Sequence, residues 1–325
     1  MQRRSLIGAT LGGASLAALP LRSAYAQAFP SKPIRIIVPF TPGSATDTIT
    51  RPIAERLGAA LGQPVLIENR AGAGGTIGIG ALAKAPSDGY TLGVVSTGHV
   101  VNPVLYANLS YDTIKDFAGV APLASLPSVL VVSPSLGIRS ARDLVAAAKA
   151  KPGSFNYATA GVGSGAHISA EKFRKAAGID AVHVPFKGSP EAITETVAGR
   201  VDYFFAPLVS ALPMIKAGKL TALAVGTTRR SALLPEVPTL AEAGIAKSEY
   251  LFWVGMLVSS KTPRDIVQKI NQATQKAMQA PEVRERFAAL GADALPMSAE
   301  QFDALIKEEM TANAEIIKAA GIKLE

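Results

Sequence analysis

Short runs of apolar residues alternate along this chain with longer segments in which apolar residues recur every three or four positions. Each short run predicts a buried strand, and each periodic segment predicts an amphipathic helix. The predicted strands cover residues 34–38, 65–68, 91–96, 155–159, 181–184, 201–205 and 222–225. Such strand–helix alternation is typical of α/β domains, so we expect mainly parallel sheets covered by helices on both faces.

Local capping signals mark where several of these helices begin. Ser44 with Asp47, and Ser140 with Asp143, have the spacing of a capping box. The first of these boxes opens a helix that contains Pro52, which predicts a kink there. These signals set the starts of the helices within a residue or two.

Residues 1–28 predict a cleavable export signal. Arg3 and Arg4 are followed by 17 uncharged residues and then by small residues with A-x-A spacing. The apolar run is shorter than the 18 or so residues of a spanning helix, which disfavours the alternative of a membrane anchor. We therefore expect a periplasmic protein cut after Ala26 or Ala28, and the sequence leaves both Sec and Tat export open.

Composition removes several classes of function. With no cysteine, the chain has neither thiolate chemistry nor disulfides. Its net charge of +8 is spread over scattered residues without interleaved aromatics, which argues against nucleic acid as a partner. The three histidines, His99, His167 and His183, lack metal-ligand spacing, so no metal is expected.

The glycine-rich run at residues 69–76 raises the question of a nucleotide cofactor. It lacks the third glycine of G-x-G-x-x-G, and no G-K-[ST] sequence occurs elsewhere. A tight turn into a helix is the better interpretation, and no cofactor is expected.

Three loops that follow predicted strands are candidate ligand-binding loops. Open α/β sheets bind ligands at the carboxyl ends of their strands, and backbone N–H groups at a helix start favour a carboxylate or phosphate. The alternative is that these are plain capped turns. The candidate residues are Phe40, Thr41, Gly43, Ser44 and Ala45 in the first loop, Ser96, Thr97, Gly98 and His99 in the second, and Thr159, Gly161, Gly163, Ser164 and His167 in the third.

Two extended segments, 120–134 and 226–238, are the candidate crossovers between two lobes. They predict that residues 29–127 and 229–325 form lobe 1 and that residues 128–228 form an inserted lobe 2. No internal repeat is evident in the sequence.

Several ordered sequence blocks resemble one known family. They are PSKPIRIIVPF at residues 30–40, ENR through GT at 68–76, DGYTL at 88–92, VPFKG at 184–188, AGKL at 217–220 and LPEVPT at 234–239. Together they resemble the substrate-binding receptors of tripartite tricarboxylate transporters, the Bug family, over nearly all of the predicted mature chain.

The resemblance implies a two-lobed type II periplasmic binding protein, or Venus flytrap, that closes on a small carboxylate. It also implies that backbone and hydroxyl donors of the three loops hold the ligand, and that a monomer delivers it to integral membrane permease subunits. One departure is Ala206, followed by Pro207, where many relatives have an acidic residue with Asn; we include Ala206 among the site residues. This departure puts amino acid ligands in doubt.

Two other functions stay open at this stage. A ligand-binding subunit that feeds a signalling sensor would differ only in its partner. A periplasmic hydrolase would need a nucleophile and a base, for which Ser164 and His167 are the candidates.

Overall fold

The computed structural model describes residues 29–320. The predicted export signal and both predicted cleavage sites lie outside the described residues. Within the described part, no helix is both long enough and apolar enough to cross a bilayer.

Residues 29–320 form eleven strands and ten α-helices. The strands are β1 (Ile34–Val38), β2 (Val65–Asn69), β3 (Thr91–Ser96), β4 (Phe117–Leu126), β5 (Ser128–Val132), β6 (Phe155–Thr159), β7 (Ala181–Pro185), β8 (Tyr203–Pro207), β9 (Thr221–Val225), β10 (Phe252–Ser259) and β11 (Asp293–Ala294). The helices are α1 (Ala45–Leu61), α2 (Thr76–Ala83), α3 (Gly98–Leu105), α4 (Ala141–Ala150), α5 (Gly165–Ala177), α6 (Ser189–Val197), α7 (Leu208–Lys216), α8 (Arg264–Gln279), α9 (Pro281–Leu290) and α10 (Ala299–Ala320).

The strands form two sheets, and we call each sheet with its helices a lobe. Lobe 1 has the strand order β11-β4-β10-β3-β1-β2, and lobe 2 has the order β7-β6-β8-β5-β9. Parallel pairing, which the sequence pattern predicts for most of each sheet, holds among β1, β2 and β3 and among β6, β7 and β8. Strands β5 and β10 pair antiparallel on both sides, so both sheets are mixed.

The reason for this difference is the connection between the lobes. The strand–helix alternation that predicts parallel pairing operates inside one lobe, where each strand follows a helix. Strands β5 and β10 instead receive the chain from the other sheet, and each runs opposite to its neighbours. The two-lobed α/β fold is confirmed, with helices on both faces of each sheet.

Alternation along the strands places a core on each side of both sheets. Ile36 packs in the cluster on one face of the first sheet and Ile37 in the cluster on the other. Leu130 and Val131 divide in the same way between the two clusters of the second sheet. Because side chains alternate faces along a strand, burial on both faces requires successive apolar residues at these positions.

The chain crosses between the sheets at two places. Only Pro127 separates β4 from β5. The return path, residues 226–251, first follows lobe 2: Leu240 and Ile245 are buried in its core, and the Tyr250 amide donates to the Gly226 carbonyl at 3.1 Å. These contacts favour a boundary near residue 250 instead of 228, and the division of the chain into lobes remains a prediction.

Candidate functional site

The loops after β1 and β6 start helices in the same way. Ser44 caps α1 and accepts a hydrogen bond from the Asp47 amide at 3.5 Å. Ser164 caps α5 and accepts from the His167 amide at 3.3 Å. Both caps satisfy the third amide of their helix.

The likeness extends to the residue before each cap. Gly43 and Gly163 have φ angles of 82° and 77°, a left-handed conformation that favours glycine. The Gly43 amide donates to Asp47 Oδ2 at 2.9 Å, and the Gly163 amide donates to His167 Nδ1 at 3.2 Å. The lobes therefore carry matching Gly-Ser-x-x-Asp and Gly-Ser-x-x-His motifs, a repeat that the sequence analysis missed because only two residues of the five are identical.

The motifs leave two backbone amides unused at the start of each helix. The first backbone bond within α1 runs from Thr48 to Ser44 at 2.9 Å, and that of α5 runs from Ile168 to Ser164 at 3.1 Å. The amides before them, apart from the one capped by serine, have no acceptor inside the helix. They belong to Ala45 and Thr46 in lobe 1 and to Gly165 and Ala166 in lobe 2.

These four residues lie around one pocket between the lobes. The lining residues are Phe40, Ser44, Ala45, Thr46, Ser96, Ala160, Ser164, Gly165, Ala166, Ser189, Pro207 and Phe252. None of them is a lysine or an arginine. The pocket therefore presents hydroxyls, helix N-termini and apolar walls, a set that suits a small organic anion.

Five of the residues expected from the sequence line this pocket: Phe40, Ser44, Ala45, Ser96 and Ser164. Ser189, at the start of α6, and Phe252, at the start of β10, also line the pocket, although neither was expected from the sequence. Ser189 precedes a proline that marks the start of α6. That signal predicts the helix, but it does not show that the start of the helix faces the pocket. Phe252 stands next to Trp253 in an apolar run, and period-two alternation sends Trp253 into the core, where its ring packs 5.6 Å from Phe302.

Among the expected site residues that do not line the pocket, His99 and Ala206 are buried against apolar side chains. His99 is buried, with its ring 5.5 Å from that of Phe117, and burial lowers the pKa of His99 to about 3, so it is neutral. Ala206 is fully buried in an apolar cluster of lobe 2, and the next residue, Pro207, is the one that lines the pocket.

Several other expected residues hold the lobes against each other. Thr41 donates through Oγ1 to Glu191 Oε2 at 3.0 Å. A Cβ atom on Gly98 would lie 2.6 Å from the Gly163 carbonyl oxygen, so the two backbones touch. The structure is therefore a closed arrangement, in which Thr41, Gly98 and Gly163 contribute to the contact between the lobes.

The glycine-rich run also belongs to this contact. It forms a 3₁₀ turn at Ala73–Gly75 that leads into α2, which confirms the prediction of a tight turn. A Cβ atom on Gly74 would lie 1.9 Å from the Val162 carbonyl oxygen, and Tyr106 donates to that same oxygen at 3.0 Å. The glycines thus permit close approach of backbone from the other lobe.

Asp47 is the acidic residue in the first turn of α1, directly after the two lobe 1 amides, and hydrogen bonds from other groups hold its carboxylate. Burial raises the pKa of Asp47, but hydrogen bonds from Arg51, Gly43 and Asn69 outweigh it and leave the pKa below its usual value. Arg51 binds both carboxylate oxygens at 2.8 Å. The carboxylate is therefore ionised and neutralised by its own helix.

Ser164 and His167 do not form a nucleophile–base pair. The Ser164 hydroxyl accepts from the His167 backbone amide, while the His167 ring accepts from the Gly163 amide. Burial lowers the pKa of His167 to about 4. Among the described residues, no group of three or more His, Cys, Asp or Glu side chains is placed to hold a metal ion.

Comparison with known proteins agrees with this geometry. Residues 49–322 match the model of the tripartite tricarboxylate transporter family receptor. The chain is 35% identical over 323 residues to the protein BugT of Bordetella pertussis, covering 99% of this chain and 98% of that protein.

Two solved structures share the fold closely. Rpa4515 of R. palustris with adipate superposes with a TM-score of 0.88 at 32% identity, covering 91% of this chain and 99% of that one. MatC (Rpa3494) of Rhodopseudomonas palustris with bound malate superposes with a TM-score of 0.85 at 32% identity, covering 89% and 100%.

Proposed function

We propose that this chain, which belongs to the tripartite tricarboxylate transporter receptor family, captures a small carboxylate between its lobes and delivers it to a membrane transporter. The family consists of receptors, so the chain is a solute-binding protein and not an enzyme. The observation that carries the ligand class is the pair of opposed helix starts, with unused amides at Ala45, Thr46, Gly165 and Ala166 around one pocket.

The charge of the pocket supports a monocarboxylate or a dicarboxylate. Helices α1, α5 and α6 begin at residues that line the pocket, and each helix N-terminus is equivalent to about half a positive charge. Three such termini balance one to two negative charges. Since no lysine or arginine lines the pocket, a tricarboxylate would carry uncompensated charge.

The apolar walls support the same ligand class. Phe40, Pro207 and Phe252 offer contact for a short hydrocarbon chain between polar ends. The two relatives were solved with adipate and with malate, which are both dicarboxylates with short hydrocarbon chains. Hydrogen bonds to a charged group contribute roughly 1.5–3 kcal/mol each, so four amides and hydroxyls supply the roughly 8 kcal/mol of a micromolar site.

Delivery follows from closure. A ligand that touches both lobes only when the pocket is shut shifts the population towards the closed form. Hinge motion is expected at Pro127 and within residues 226–251, where the chain crosses between the sheets. The partner that reads the closed form is proposed to be a set of integral membrane permease subunits, and the receptor is proposed to act as a periplasmic monomer after cleavage following Ala26 or Ala28.

A thermal-shift experiment tests the ligand class on protein lacking residues 1–28. Malate, adipate, succinate and citrate are compared, and we expect the dicarboxylates to raise Tm. A ligand at 100 times its Kd adds about 2.7 kcal/mol to stability, which raises Tm by roughly 4–5 °C for a protein of about 300 residues with an unfolding entropy of about 2.1 cal/mol/K per residue. If citrate alone stabilises the protein, the charge argument is wrong; if no carboxylate does, the proposed function fails.

A proline substitution tests the amides directly. Ala45→Pro removes one pocket amide at the first helical position, where proline is well tolerated, and Ser44 has the extended backbone that precedes proline. We expect affinity to fall roughly 10- to 150-fold, the equivalent of one charged hydrogen bond. Ala141→Pro is the matched control, since Ala141 also follows a serine cap at the start of α4 and lies outside the pocket. If Ala45→Pro binds as tightly as Ala141→Pro and the wild-type protein, the α1 amides do not capture the ligand.

A further inference from the structure

The matching loops of the two lobes differ at the residue that holds the glycine amide. In lobe 1 a carboxylate, Asp47, accepts from Gly43; in lobe 2 an imidazole, His167, accepts from Gly163. Both acceptors lie three residues after the capping serine. In each helix they directly follow the two residues whose amides are at the pocket. The same backbone task is therefore performed by a charged group in one lobe and by a neutral group in the other.

The next turn of each helix explains this difference. In α1, the residue four positions after Asp47 is Arg51, which binds the carboxylate and neutralises it. In α5, the residue four positions after His167 is Glu171. Like charges at this spacing repel each other, so an aspartate at position 167 would face an acid where Asp47 faces a base.

Arg174, the cation that pairs with Glu171, already binds two carboxylates. It accepts from Tyr157 Oη at 2.5 Å and pairs with Arg174 Nε at 2.9 Å. Arg174 also pairs with Asp180 at 3.3 Å. A second acid here would leave net negative charge beneath the pocket amides of lobe 2.

A stacked pair of imidazoles completes the support of the loop. The His183 ring lies 4.4 Å from that of His167 and nearly parallel to it, and Tyr157 stacks on the far side of His183. His183 Nε2 lies 2.6 Å from Thr159 Oγ1, which accepts from the Gly161 amide at 3.1 Å. The pair therefore supports the Gly161 and Gly163 amides together, while Glu171, Arg174, His183 and Tyr157 are the titratable groups around His167.

We propose that His167 is a positioning residue for ligand capture, which holds the lobe 2 loop as the charge-neutral counterpart of Asp47. It keeps Gly163 in the conformation that turns the Gly165 and Ala166 amides into the pocket. It does so without placing a negative charge beside the bound anion. The proposal rests on the proposed function in assuming an anionic ligand, whereas the hydrogen bond to Gly163 does not depend on that function.

Three variants separate the acceptor from the charge. His167→Asn keeps a neutral acceptor of the same reach as Asp47, His167→Asp keeps the acceptor and adds a charge, and His167→Ala removes the acceptor. Without ligand, ¹⁵N NMR of the wild-type protein at neutral pH should show a bare Nδ1 and a protonated Nε2 on His167. Hydrogen exchange at the Gly163 amide should accelerate in the alanine variant and return towards the wild-type rate in the asparagine variant.

Calorimetry with malate and adipate then measures the consequence for binding. We expect His167→Asn to bind within about threefold of wild type and His167→Ala to bind about tenfold or more weakly, because a buried amide loses its acceptor. His167→Asp should bind more weakly than His167→Asn at low ionic strength, and the gap should narrow when salt is added.

Two results would overturn the proposal. Asparagine that rescues neither Gly163 exchange nor affinity relative to alanine would show that the acceptor has no positioning role. Aspartate that binds as tightly as asparagine at low ionic strength would show that neutrality at position 167 is irrelevant. If neither probe binds the wild-type protein, the proposed function fails, and the exchange experiment still decides whether His167 holds the loop.

Discussion

The substitution Gly98→Ala, which adds one methyl group, should disfavour closure of the lobes without lowering the stability of the fold. Gly98 is the first residue of α3 and has no left-handed φ angle, so alanine fits its backbone. The three atoms nearest to an added Cβ all belong to lobe 2: the Gly163 carbonyl oxygen at 2.6 Å, the Gly163 carbonyl carbon at 3.5 Å and Ser164 Cα at 3.5 Å. The clash therefore arises only when the lobes are closed.

The two consequences have opposite signs. In the closed form, overpacking against backbone that cannot rotate away costs about 1–3 kcal/mol, which weakens ligand binding by about 5- to 150-fold. In the open form, replacing glycine by alanine at a compatible site stabilises the fold by about 0.4–1 kcal/mol, because the unfolded chain loses freedom. Gly98→Ala should therefore lower affinity while the Tm of the unliganded protein stays equal or rises.

Calorimetry, thermal unfolding and small-angle scattering together measure these effects. The scattering radius of the wild-type protein should shrink when a dicarboxylate is added, and that of Gly98→Ala should shrink less. Val104→Ala, at a position on the same helix that is 42% exposed, serves as the control and should bind normally. An unchanged Kd for Gly98→Ala would show that the closed contact between Gly98 and Gly163 is not needed for capture, and the closure argument would be wrong.

Three further substitutions test other contacts of the site. Thr41→Val removes the hydrogen bond to Glu191 across the cleft, and calorimetry should show a loss of a few-fold in affinity with unchanged Tm, since a net hydrogen bond contributes about 0.5–1.5 kcal/mol. Asp47→Asn should lower Tm at neutral pH, because the folded pKa of Asp47 lies below its unfolded value and its ion pair with Arg51 stabilises the fold above about pH 4. The Tm difference should shrink as the pH falls through the folded pKa, and a pH-independent difference would contradict the linkage. Ser164→Ala should cost about 1 kcal/mol of stability through loss of the cap to α5 and should weaken binding, and unchanged thermal unfolding would contradict the capping role.

The helix starts of the site could be predicted because their causes are local. A serine cap acts within one turn of the chain, so the signal at Ser44 and Asp47 predicted the start of the helix. Apolar runs such as residues 36–38 were equally clear, because burial on both faces of a sheet requires apolar residues at successive positions. The ordered sequence blocks predicted the family in the same way, since each block is short and contiguous.

Other parts of the site depend on segments that are distant in sequence. The match between the loops at Gly43 and Gly163 lies in hydrogen-bond geometry, which a carboxylate and an imidazole share without sequence identity. Ser189 and Phe252 reach the pocket only because the two sheets face each other, and His99 does not line it because its ring packs against Phe117 of β4.

The sequence by itself therefore determined seven of the eleven strands in residues 29–320, the helix caps at Ser44 and Ser140, the α/β class and the family of this protein. The tertiary structure decided which side of each loop faces the ligand, how the crossing strands β5 and β10 pair, and which glycines, such as Gly74 and Gly98, lie at the contact between the lobes. The physical reason is the distance along the sequence over which each interaction acts. Caps and periodicity act over a few residues, whereas the pocket and its closure arise from packing between two lobes whose loops are more than a hundred residues apart.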